Sequence, residues 1–78
     1  MTIPLTLLKV LRLRAEISQH DLAESIGVAQ PMVSNWEAGL AIPPDRARSI
    51  LQILGKVVNV EGIVPEELSK PYVNSSRH

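Results

Sequence analysis

An all-α fold, a compact bundle of about five short helices, is what this sequence predicts. Three observations carry the prediction. Apolar residues recur at helical spacing, as in Leu8 and Leu11, then Leu22, Ala23 and Ile26, then Ala47, Ile50, Leu51 and Leu54. Capping and breaking residues divide these runs into short pieces, with Ser18 before one and Gly27, Gly39 and Gly55 after others. Prolines stand where helices begin and a missing N–H does no harm, notably Pro31, Pro44 and Pro65. The 78 residues suffice for one small domain, read as 1–73 with a flexible tail over 74–78.

The first helix opens at Pro4 or Thr6 and runs to about Ala15. Leu5, Leu8, Val10, Leu11 and Leu13 give it a broad apolar surface, with Lys9, Arg12, Arg14 and Glu16 on its polar side. Ser18 starts the second. Its hydroxyl can accept from a free N–H, Asp21 can reach back to the Ser18 N–H, and Ile17 can staple against Leu22. Gly27 ends this helix because it takes a positive φ without steric cost. A third helix spans about Gln30 to Ala38, with Val33 and Trp36 facing inward and Gly39 as its stop. So short a glycine-containing turn between two helices makes them cross steeply, which is the helix-turn-helix arrangement.

Ile42-Pro43-Pro44 reads as an extended connector, and Pro44 opens a fourth helix that ends near Leu54. Continuation through Gly55 to Val60 is the alternative. An interior glycine costs about 1 kcal/mol there, and Val57, Val58 and Val60 are β-branched, so the break is preferred. Residues 56–64 read either as a hairpin around Glu61-Gly62 or as an extended loop feeding a short helix at about 65–69. Pro65 followed by Glu66 and Glu67 has the chemistry of a helix start.

The second and third helices carry side chains suited to DNA. Gln19 begins the second helix, where free N–H groups and the positive dipole end suit a phosphate. Gln30 begins the third, and a glutamine amide matches the N6–H donor and N7 acceptor of adenine in the major groove. Pro31, Met32, Ser34 and Asn35 complete the exposed side of that helix. Asn35 and Ser34 can each meet a base or a phosphate. Met32 suits a thymine methyl or covers the core. Trp36 is read as core, since duplex bases offer edges and not faces to the major groove.

Other chemistry finds little support. Ser18, His20 and Asp21 are adjacent along one turn, so their side chains diverge and cannot line up as nucleophile, base and orienter. His20 reads as an exposed polar residue. The carboxylates are scattered singly and cysteine is absent, so neither a metal site nor a disulfide framework is expected, and no cofactor. Apolar runs fall well short of the ~18–20 residues of a membrane span, and no signal-peptide pattern opens the chain, which makes the cytoplasm the expected location.

Gln19, Leu22, Ala23, Gly27, Val28, Gln30, Val33, Trp36, Glu37 and Gly39, with Arg12 before them and Pro44 to Gly55 after, resemble the Xre/Cro/C1-type helix-turn-helix repressors. The resemblance implies a lambda-repressor-like DNA-binding domain. It implies an ion pair between Arg12 and Glu37, near the end of the recognition helix, and contact between the Gln19 and Gln30 side chains. It also puts Arg46 and Arg48 where Cro-like repressors reach the DNA backbone. The segment EELSKP resembles the closing stretch of small Cro and YdaS-type proteins. Two features depart from the pattern. Ala29 stands where a capping Ser or Thr is usual, which forgoes a bond worth about 1 kcal/mol. Leu40-Ala41 stands where relatives often carry Lys or Arg.

Eight basic residues balance eight acidic ones, for zero net charge. That balance is unusual for a DNA binder, but the distribution matters more than the sum. Glu37 is the one charge of the recognition helix, Arg46 and Arg48 follow it, and Glu61, Glu66 and Glu67 lie far along the chain. Few phosphate contacts and a shallow salt dependence are expected. The reading is a sequence-specific, prophage-type repressor that binds double-stranded DNA. The surplus apolar residues Val57, Val58, Val60, Ile63, Val64, Leu68 and Tyr72, together with Val73, point to a homodimer through about 56–73, the alternative being that the segment folds back over the first and fourth helices. The rival reading makes the same segment dock a different protein, in the manner of an antitoxin, with DNA binding secondary.

Overall fold

The computed structural model describes residues 5–72. Pro4, Val73 and the tail expected over 74–78 lie outside the described residues. Four α-helices follow one another, α1 (Leu7–Ala15), α2 (Gln19–Ile26), α3 (Gln30–Glu37) and α4 (Pro44–Leu54), and a single 3-10 turn covers Pro65–Glu67. The fold is all-α. The fifth helix expected at about 65–69 is this one turn. The hairpin alternative for 56–64 is not adopted. That segment is a chain of turns in which Asn59 Oδ1 accepts from the Glu61 N–H at 2.9 Å and Gly62 takes φ 83°.

Most boundaries have a local cause. Thr6 caps α1, its hydroxyl accepting from the Lys9 N–H at 3.3 Å. Ser18 caps α2 by accepting from the Asp21 N–H at 2.9 Å. The return half of that cap is missing among the described residues, because the Asp21 side chain makes no bond to the Ser18 N–H. Gly27 closes α2 at φ 77°. Ala29 supplies no side-chain cap to α3, and Pro31 sits in the first turn. The third helix ends at Glu37, one residue short of the expected Ala38, and Leu40 N–H folds back to the Asn35 carbonyl at 3.1 Å around Gly39, which is at φ 108°.

Gly55 ends α4 for a different reason from the one a C-terminal glycine suggests. Its φ is −64°, an ordinary right-handed value. A Cβ there would sit 2.8 Å from the Leu51 carbonyl oxygen and 3.1 Å from Val60 Cγ2. The position needs the absence of a side chain, so that the returning chain can pack close.

The core unites the helices. Leu8, Leu11 and Ala15 of α1 meet Leu22, Ala23 and Ile26 of α2, Val33 and Trp36 of α3, and Ala47, Ile50 and Leu54 of α4. Leu5 and Leu13, read as part of the apolar surface of the first helix, are 44% and 50% exposed. Leu51, expected in the buried stripe of the fourth helix, is half-buried. Leu68 requires a correction. It is fully buried within this core, so it is taken up by the chain's own folding and offers nothing to a second subunit. Val58, Val60 and Ile63 also lean on the core and are half-buried, whereas Val57 and Val64 are 59% and 50% exposed.

Candidate nucleic-acid interface

The short turn between α2 and α3 sets the start of both helices on one side of the molecule. Gln19, Gln30, Pro31, Ser34 and Asn35 line a single open recess of about 320 Å³. Gln30, Pro31, Ser34 and Asn35 are exposed, and Met32 on the same helix is 42% exposed. Trp36 is 3% exposed and belongs to the core.

Behind the recess lies a continuous polar chain. Arg12 donates from Nε to Glu37 Oε2 and from Nη2 to Glu37 Oε1, the latter at 3.2 Å. Its Nη1 donates to the Ile17 carbonyl at 2.8 Å. The two charged side chains are 10% and 4% exposed. Gln19 Nε2 donates to Glu37 Oε1 at 2.9 Å, and Gln30 Nε2 donates to Gln19 Oε1 at 3.3 Å. The order of donors follows from chemistry. A carboxylate only accepts, so Gln19 must turn its NH₂ toward Glu37. Its oxygen then faces Gln30, which must in turn present its own NH₂. Among the described residues, that leaves the Gln30 oxygen and its second N–H free for a ligand.

Arg46 and Arg48 separate. Arg46 is half-buried, and its Nη1 donates to the Ile26 carbonyl at 2.7 Å. It caps the last turn of α2, where carbonyls lack helical partners. Its expected role at the DNA backbone is therefore joined to a structural one that the sequence did not reveal. Arg48 is exposed and makes no hydrogen bond or ion pair among the described residues. Thr6 is the other connection the sequence missed: its hydroxyl donates to the Glu37 carbonyl at 3.1 Å. The capping role of Thr6 is visible in its position, but a partner 31 residues away is not.

One grouping departs from the expectation that the carboxylates lie singly. The ligand atoms of His20, Asp21 and Glu24 fall within 4.8 Å of one another on α2. All three residues are exposed, and His20 and Glu24 stand one helical turn apart, which is the spacing that brings surface residues together. Exposed groups of this kind are ordinary surface chemistry, and we assign no ion to them.

A family model described as Helix-turn-helix, of the Xre/Cro/C1 type, matches residues 8–57. The match covers more than half of the chain and takes in all but the first residue of the four helices. The chain belongs to this helix-turn-helix family. Comparison with curated proteins and with solved structures finds no match. Membership makes the protein a DNA-binding helix-turn-helix regulator. Among the described residues, no helix is long and apolar enough to cross a membrane.

Proposed function

We propose that this helix-turn-helix protein is a sequence-specific repressor of the Cro/C1 type that reads a palindromic operator as a homodimer. The observation that carries the reading is the fixed orientation of Gln30. An exposed glutamine on a free rotor reads bases weakly, because binding must freeze it. Here the chain from Arg12 through Glu37 and Gln19 holds the Gln30 amide in one orientation, with its oxygen and one N–H outward. That edge fits the N6–H and N7 of adenine. Met32 offers a methyl-sized apolar contact beside it, and Asn35 and Ser34 extend the polar face. Arg48 and the remaining donors of Arg46 serve phosphate.

Zero net charge and an acidic patch on the flank of α2 limit the electrostatic contribution, so base contacts carry more of the affinity than in a basic binder. Selection of duplexes from a random library tests the reading, and inverted half-sites should emerge. Gln30→Ala should then weaken the selected duplex by roughly 1–3 kcal/mol while leaving non-specific binding nearly intact. Equal loss on both kinds of DNA would remove Gln30 from the reading role.

A further inference from the structure

A helix begins with backbone N–H groups that have no partner inside it. The donors that open α1 go to distant chain. Leu7 N–H donates to the Lys70 carbonyl and Leu8 N–H to the Leu68 carbonyl, both at 2.9 Å. Tyr72 N–H donates to the Leu5 carbonyl at 2.7 Å, and Thr6 faces Pro71 in an isolated antiparallel bridge. Arg14 closes the arrangement from outside. Its Nη2 donates to the Tyr72 hydroxyl at 3.2 Å, and its guanidinium lies 5.5 Å from the centre of the Tyr72 ring. Leu68 to Tyr72 thus form a strap across the start of α1, anchored in the core by Leu68. The strap lies beyond the residues matched by the family model.

Thr6 is the residue this strap holds, and it is 6% exposed. Its hydroxyl accepts from Lys9 and has one proton to give. That proton goes to the Glu37 carbonyl at 3.1 Å. Glu37 is the last residue of α3, and its side chain anchors Gln19 and, through Gln19, Gln30. We propose that Thr6 is a positioning residue for the reading helix, fixing the end of α3 through this bond while the strap fixes Thr6. The inference rests on the DNA-reading function proposed above.

Three substitutions separate this role from simple capping. Thr6→Val keeps the shape and loses both bonds. Thr6→Asp keeps an acceptor for the Lys9 N–H but, ionised, has no proton to donate. Thr6→Ser keeps both. The probe is a duplex selected with the wild type, compared with a non-specific duplex, with affinity expressed per folded molecule. Thr6→Val and Thr6→Asp should each lose roughly 3- to 10-fold in the ratio of specific to non-specific affinity, and Thr6→Ser should restore it. Emission from Trp36, the single tryptophan and the neighbour of Glu37, should shift in the DNA-free Val and Asp variants. Unchanged ratios and unchanged emission, with only a lower melting temperature, would overturn the proposal. If Thr6→Val does not fold, Thr6→Asp decides alone. If the wild type selects no duplex, the DNA reading fails, and Trp36 emission still decides whether Thr6 positions α3.

Discussion

Glu37 accepts from Arg12 and from Gln19 through one carboxylate, and the two kinds of bond have different consequences. The bond to Arg12 concerns stability. A buried pair adds little over apolar packing, but removal of one partner strands the other charge. Glu37→Gln should therefore destabilise the fold by about 3 kcal/mol, measured by urea denaturation. Arg12→Met combined with Glu37→Leu should recover most of that loss, since two apolar side chains replace two charges. The bond to Gln19 concerns the proposed DNA reading. The double variant has no acceptor for Gln19 Nε2, so it should fold well yet discriminate poorly between selected and unrelated duplexes. Restored stability together with intact discrimination would show that Gln19 and Gln30 orient without Glu37. Arg12, Glu37, Gln19 and Gln30 all stand out in the sequence by residue type and by resemblance. The order in which they donate follows only once their distances are known, because an amide has two possible faces.

At the level of elements, local chemistry explains most boundaries and long-range contact explains the exceptions. Ser18, Gly27, Pro31 and Pro44 act on their own neighbours, so their roles are visible in sequence. Gly55 and Arg46 act on distant chain. Gly55 admits Val60 against the end of α4, and Arg46 caps α2 from α4. Residues 56–64 read ambiguously because short valine-rich runs suit a strand as well as a loop, and the choice falls to packing against the core. Arg46→Ala should accordingly lower stability as well as weaken binding to all duplexes alike, whereas Arg48→Ala should only weaken binding. Ala29 supports a separate prediction. It has the backbone of a cap residue (φ −76°, ψ 148°) without a side chain able to serve. Ala29→Ser should stabilise the protein by about 1 kcal/mol, raising the melting temperature by roughly 4–8 °C in a domain of this size. Nothing in the structure explains why alanine stands there.

For the whole molecule, the proposed sequence-specific reading must draw on a small surface. One helix-turn-helix unit spans few base pairs, and a genome offers many chance matches. Two units on a two-fold axis, with recognition helices about 34 Å apart, multiply the information read. The apolar surplus after α4 suggests an interface across residues of roughly 56–73, and folding reduces that set by the ordinary competition between core and surface burial. Leu68 is buried, Val58, Val60 and Ile63 are half-buried against the core, and Tyr72 lies beside Arg14. Val57 and Val64 remain as the exposed pair of this segment, and the proposed dimer centres on them. This choice sharpens the test. Val58→Asp would damage the monomer's own packing and confuse the result, whereas Val57 is 59% exposed and tolerates a charge in the folded monomer. Val57→Asp should leave the melting curve of dilute protein nearly unchanged. It should shift sedimentation at micromolar concentration from dimer to monomer, and weaken a two-half-site duplex far more than a single half-site. A wild type that sediments as a monomer and binds one protein per site would refute the dimer, because the two half-sites would then contribute independently and the palindrome would have no physical basis.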